Sequence, residues 1–289
     1  MKKNLCIFVV LLLLGTGSLA LMAQAQGQQQ LTGPKLSYEE EIAAWHQQRI
    51  ASLKRPHGWL SLIALDWLEE GDNLIAGFGV VTLNKGAIFY RSLPDIQPTL
   101  RGELFTSGAL VTDVDRVEIG SKAFVVIRRG ERCAVRIWDG NAETLKKFTG
   151  IERFPLSKEW KREARWEAYE KPKPIKIQSV IPGYVENYVV PGVAIFIVDG
   201  KEYRLEPVGE QGARQLFFIF ADKTNGSDTY GAGRFLYTDS PKDGKVMLDF
   251  NKAINPPCAF SSYATCPLPP ASNHLPVRID AGEKKFGDH

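Results

Sequence analysis

Between Gly79 and Gly140 apolar and polar residues alternate in short runs. VVTL, AIFY, VDRVEI, AFVVIRR and CAVRIW follow one another, separated by Gly, Asp and Asn. A period of two turns one side of each run toward a core, so the pattern predicts strands and a β-rich first half. Cys133 sits inside the last run and reads as a buried free thiol. Ahead of this region, Ser37 and Glu40 have capping-box spacing, and Ile42, Trp45, Ile50 and Leu53 share one helical face, which predicts a helix over 37–54 that stops before Pro56. His46, within it, reads as a surface or packing residue. The run from Gly58 to Ile75, rich in Trp and Leu, fits a buried strand pair or a short helix equally well.

The second half has sharper punctuation. Lys146 to Trp166 is charged and aromatic and crosses between the halves. KPKPIKI, Lys171 to Ile177, alternates lysine, proline and isoleucine, as an extended linker or an edge strand does. In AIFIVDGKEYRL, Asp199-Gly200 separates two apolar runs, a strong hairpin signal. LFFIF, Leu216 to Phe220, has the composition of a fully buried strand. RFLYT and KVMLDF flank the turn Asp239 to Gly244. A symmetric hairpin about that turn sets Phe235 opposite Leu248, Tyr237 opposite Val246, and Arg234 opposite Asp249, with Asn251 next along the strand. Such a charge pair among apolar neighbours is either structural or part of a polar pocket. The expected fold class is therefore mainly β, an antiparallel sandwich or barrel, with an N-terminal helix and short connecting helices. The regions are 37–160, helix plus β-rich, and 171–286, a C-terminal β domain.

The first residues change the picture of where the chain works. Lys2 and Lys3, an apolar run from Leu5 to Leu14 and the small-residue site Ala23-Gln24-Ala25 have the form of a secretory signal peptide over 1–25, with an uncleaved anchor as the alternative. Cleavage after Ala25 implies a secreted or periplasmic protein, with 26–36 a flexible leader. It also removes two lysines and no acid, taking the formal charge from +3 to +1. No basic stripe points to nucleic acid, and no later segment is long and apolar enough to span a membrane. Oligomeric state is open.

Near the C-terminus NPPCAFSSYATCPLPP, Asn255 to Pro270, holds five prolines, two cysteines and no charge. Proline excludes a helix or a central strand there, and the composition is too apolar for an ordinary solvated loop. Prolines stiffen a loop and lower the entropy lost on fixing it. Cys258 and Cys266 lie eight residues apart. In an oxidising compartment they suit a disulfide, worth roughly 2–3 kcal/mol on the loop-entropy account. Two buried thiols, a metal site with His274 and Asp249, or a catalytic thiol are the alternatives. The spacing is wrong for a zinc knuckle, so no metal is assigned. Tyr230, Arg234, Asp249, Asn251, Asn255, Tyr263, Asn273 and Glu283 make a polar set around an apolar rim, and a pinned loop on a β scaffold often lines a site. Equally, the loop plugs one end of a sheet and the asparagines cap turns. No cofactor is implied: Gly231-Ala232-Gly233 lacks the third glycine and the helix of a dinucleotide fingerprint, and no hydrolase elbow, zinc-protease motif or P-loop occurs.

Two stretches resemble the bacterial family called domain of unknown function 1684. DKTNGSDTYGAGRFLYTD followed by LDFNKAINPPCAFSSYATCPLPPASNHLPVRIDAGEK resembles its C-terminal signature, and PHGWLSLIALDWLEEGDN its N-terminal one. The resemblance spans about residues 40–285, and is poor over 76–160. The family carries Asp where this chain has His57, so His57 takes no role from it. The resemblance implies a boundary and a motif and no mechanism. Three functions follow from the residues. One is binding of a small acidic or amphipathic ligand beside the proline loop, with Arg234 as the anchor. The second is a secreted hydrolase using Asp249 or Glu283 as acid or base. The third is a purely structural envelope protein.

Overall fold

The computed structural model describes residues 36–287. The signal peptide expected over 1–25 and leader residues 26–35 lie outside the described residues. Helix α1 (Tyr38–Leu53) starts where expected: the Ser37 hydroxyl accepts from the Glu40 amide while the Glu40 carboxylate accepts from the Ser37 amide. Gly58 to Ile75 resolves into a 3₁₀ turn (Trp59–Ser61) and two strands, β1 (Leu62–Trp67) and β2 (Gly71–Ile75). The alternating runs become β3 (Gly79–Asn84), β4 (Ala87–Ser92), β5 (Thr99–Leu100), β6 (Glu103–Leu104), β7 (Ser107–Leu110), β8 (Arg116–Ile119), β9 (Lys122–Arg129) and β10 (Arg132–Asp139).

These strands form two antiparallel sheets, β1-β10-β9-β8-β5-β6 and β2-β3-β4-β7. Alternation turns Phe124, Val126, Cys133, Val135 and Ile137 of the larger sheet onto Ile75, Val81, Ile88, Tyr90 and Leu110 of the smaller. The result is a sandwich with its own core, in which Cys133 is a buried free thiol. Because β10 lies between β1 and β9, its other face, carrying Ala134, Arg136 and Trp138, is left for the rest of the chain to cover.

A short helix α2 (Glu143–Lys147) leads to β11 (Lys161–Gln178), β12 (Val185–Val198), β13 (Lys201–Leu205), β14 (Gln215–Phe220), β15 (Arg234–Asp239) and β16 (Lys245–Asp249). Asp199 and Gly200 both have positive φ, 50° and 73°, as a tight two-residue hairpin turn between β12 and β13 requires. KPKPIKI lies in the half of β11 that only β12 pairs, the edge-strand option, with the ladder broken between Ala168 and Lys173. Proline lacks an amide donor, so a free edge tolerates it.

The strands flanking Asp239–Gly244 do not form the symmetric hairpin expected of them. β15 pairs with β14, setting Arg234 opposite Phe220 and Tyr237 opposite Phe217, whereas β16 joins β11, setting Asp249 opposite Lys161. One bridge, Lys242 to Lys245, is all that the turn contributes. The physical reason is burial: separating the strands lets Leu236 and Phe220 from one sheet meet Val246 and Leu248 from the other, with Phe250 at the centre.

The proline loop joins these parts. Ala259 and Phe260 pack with Leu53 of α1, Leu60 and Phe148, while Ala264 and Cys266 pack with Ile177, Ile219 and Phe235. Trp59 touches both clusters. Among the described residues no helix is long and apolar enough to cross a membrane.

Gly233, at the mouth of β15, has φ +95°, and a Cβ there would lie 2.7 Å from the Phe220 carbonyl oxygen and against the ring of Pro269. Gly233→Ala is therefore expected to lower unfolding free energy in urea by about 2 kcal/mol, combining left-handed strain with overpacking. An unchanged midpoint would show that the loop is not seated on this strand.

Candidate functional site

The residues expected to form one polar set are held in five places, and most are structural. Arg234 has no solvent exposure. Its guanidinium donates to Asp222 Oδ2 at 2.5 Å, to the Ile279 carbonyl at 3.0 Å and to the Ala281 carbonyl, and it lies over the Phe220 ring. Its carboxylate partner is thus Asp222 and not Asp249, which corrects the expected pair. Burial pushes Arg234 down from the ordinary arginine range, and Asp222 opposes that. A charge so placed requires its partners, so Arg234 fastens the tail to the sheet.

Asp249 and Asn251 form a second group: Tyr38 donates to Asp249 Oδ1 at 2.8 Å, and the Asn251 side chain ties Tyr38, Asp249 and the backbone of Ser157 together. Burial, with help from Asp249, raises the Tyr38 hydroxyl well above its usual range. Glu283 and Asn255 form a third. Glu283 accepts from Arg49 Nε at 3.0 Å and from the Asn255 amide at 2.7 Å, fastening α1 to the loop's first residue. Asp249 and Glu283 share no hydrogen-bond partner. Asn273 clamps β-segments, bonding Glu206 through both its backbone groups and the Ile219 carbonyl. Only Tyr230 and Tyr263 line a cavity at the loop.

Cys258 and Cys266 are free thiols, not the expected disulfide. The Cys258 amide donates to Cys266 Sγ at 3.1 Å. The neighbouring Cys266 side chain holds Cys258 below the ordinary cysteine range against the opposing effect of burial, while Cys258 and burial together push Cys266 upward. Among the described residues no group of three or more His, Cys, Asp or Glu side chains is placed to hold a metal.

A cleft of about 560 Å³ opens where the outer face of β9 and β10 meets the loop. Trp59, Arg128, Arg129, Arg136, Tyr184, Glu186, Phe235, Thr265 and Cys266 line it. Arg136 is 7% exposed and, among the described residues, has no carboxylate partner. Its Nη2 donates to Thr265 Oγ1 at 3.3 Å, its Nε bonds to nothing, and its guanidinium lies over Trp59. Arg129 donates to the same hydroxyl at 3.3 Å while paired with Asp113 at 3.1 Å. Burial, then Arg129, pushes Arg136 down to about 10, so it stays charged at neutral pH. A wider groove beside Asp249 balances Lys161, Lys242, Lys245 and Lys252 against Glu163, Asp239, Asp243 and Asp249. The cleft, with Arg128, Arg129 and Arg136 set against Glu186, carries surplus positive charge.

Residues 146–284 match the family described as "Protein of unknown function (DUF1684)". A solution NMR structure of an uncharacterized protein from Haloarcula marismortui is 31% identical to the chain, covering 51% of this chain and 82% of that one, with a TM-score of 0.43. The chain belongs to the DUF1684 family. No curated protein matches it. The family range supplies the proline loop, Tyr184 and Phe235, whereas Trp59, Arg129 and Arg136 precede it, as does the N-terminal stretch that was also expected to carry the resemblance. Sequence reasoning missed Arg136. The signal was its place within CAVRIW: an arginine inside a run that is buried on both faces.

Arg234→Ala is expected to cost roughly 3–5 kcal/mol in chemical denaturation, because Asp222 is left as an uncompensated buried charge. Adding Asp222→Ala should return part of that loss. A cost below about 1 kcal/mol, typical of exposed pairs, would refute the structural role.

Proposed function

We propose that the protein binds a small ligand combining an acidic group with an apolar body in the cleft beneath the proline loop, and that Arg136, not Arg234, anchors the acidic group. One observation carries this: a guanidinium more than nine-tenths buried, without a carboxylate partner among the described residues, lining an open cleft. Isolating a charge from water without pairing it is costly. The downward shift of Arg136 to about 10 corresponds to a penalty on the order of 3 kcal/mol, present below that pH and relieved as pH rises from about 10 through the usual arginine range. An anion bound at Arg136 offsets that penalty. Arg129 and the Thr265 hydroxyl stand beside it as further polar groups, and Trp59, Tyr184 and Phe235 offer apolar surface. A few convergent polar groups among aromatic walls are what small-molecule sites share.

Export belongs to the same proposal and rests on the pattern of residues 1–25 alone. N-terminal sequencing of the secreted chain checks it, with Gln26 expected first.

Phosphate, an aryl carboxylate and a medium-chain fatty acid, each titrated against the chain by calorimetry and thermal shift, test the binding. At a ligand concentration 100 times Kd the native state should gain about 2.7 kcal/mol. Arg136→Met should abolish the gain. The variant itself should be as stable as the parent to within about 1 kcal/mol, or more stable, since no carboxylate loses its partner. Equal binding by the variant, or a loss of 3–5 kcal/mol like that of a broken buried pair, would refute the assignment.

A further inference from the structure

Cys266 is buried in the wall of the Arg136 cleft, but Cys258 faces the other way. It is part-exposed and opens into a separate cavity of about 490 Å³. Leu62, Val180, Tyr230, Phe260 and Tyr263 are among the residues lining that cavity, and no charged side chain lines it. The Cys258 amide donates to Cys266 Sγ at 3.1 Å, and the Tyr230 hydroxyl donates to the Cys258 carbonyl oxygen at 3.3 Å. The two thiols therefore differ in kind. One is part-exposed and lines an uncharged cavity. The other is buried directly behind it, its sulfur accepting from the Cys258 amide.

We infer that Cys258 and Cys266 form a thiol–disulfide exchange pair acting on small, uncharged disulfides with apolar or aromatic substituents. The Cys258 thiolate attacks one sulfur of the substrate, forming a mixed disulfide and releasing the first substrate thiolate. That thiolate takes the Cys266 proton. Cys266 then attacks Cys258 Sγ, the mixed disulfide breaks and the second substrate thiolate leaves. Two protein thiols are oxidised to one disulfide and the substrate is reduced to two thiols, so electrons and protons balance. The directions of the thiol shifts agree with this division: the attacking thiol lies below the ordinary cysteine range and the resolving thiol above it. Tyr230 is a positioning residue, its hydroxyl bonded to the carbonyl of the attacking cysteine. The exchange uses a different cavity from the ligand site at Arg136 and does not depend on it.

The test uses the full chain with Cys6→Ser, leaving Cys133 in place as a buried control. Dithiodipyridine serves as the neutral aromatic disulfide and dithiobis(nitrobenzoate) as the charged one, each rate divided by that of free glutathione. The native chain should release two thiopyridones, and peptide mapping should find Cys258 joined to Cys266. Cys266→Ser should release one and keep a pyridyl group on Cys258. Cys258→Ser should slow the reaction at least about tenfold, the change that one unit of thiol pKa makes in thiolate. Tyr230→Phe should move the pH midpoint of the reaction upward, which a merely structural tyrosine would not do. The neutral reagent should be favoured over the charged one. Reaction only after denaturation, first attack at Cys266, or a mixed disulfide that persists with both cysteines present would overturn the inference, and mapping of the parent chain reads all three whether or not a variant folds.

Discussion

A guanidinium fully removed from water has to find its counter-charge and acceptors inside the protein, and Arg234 does so by drawing two separate segments onto one side chain. Asp222 comes from the loop after β14, and the Ile279 and Ala281 carbonyls come from the tail. The tail is thereby set so that Glu283, two residues on, meets Arg49 of α1 and the amide of Asn255. The first residue of the proline loop is thus held through a chain of buried bonds that begins at Arg234. Removing one partner leaves charge without compensation, which is why such networks hold geometry even when their net contribution to stability is small.

Arg136 meets the opposite circumstance. It is almost as buried as Arg234 and also lies against an aromatic ring, but among the described residues its one hydrogen-bond acceptor is the neutral Thr265 hydroxyl. The two arginines separate a structural charge from one left available. The proline loop stands between them. Its apolar side chains fill two small clusters against α1 and the C-terminal sheets, while Thr265 and Cys266 on one side and Cys258 and Tyr263 on the other each face a cavity. Prolines suit this task because a stiff chain loses little entropy when fixed between two walls.

Much of the secondary structure was legible in the chain. The capping box of Ser37 and Glu40, the alternation from Gly79 to Gly140, the Asp199-Gly200 turn and the proline-bearing edge of β11 all act between residues near in sequence. The candidate site was legible only in part. Its place beside the loop could be anticipated, yet its anchor could not. The turn Asp239–Gly244 has every residue a hairpin wants, but the strands it connects enter different sheets, so Arg234 and Asp249 never become cross-strand neighbours.

By itself the sequence determined a mainly antiparallel β protein, the positions of its turns and caps, and the rigidity of the segment from Asn255 to Pro270, because period, glycine geometry and proline chemistry are short-range effects. Only the tertiary structure decided which charges are paired. Asp222 reaches Arg234 and Glu283 reaches Arg49, while among the described residues no carboxylate pairs with Arg136. Electrostatic pairing depends on distances across sheets and loops far apart in the chain, and hydrophobic burial sets those distances with no regard to sequence separation.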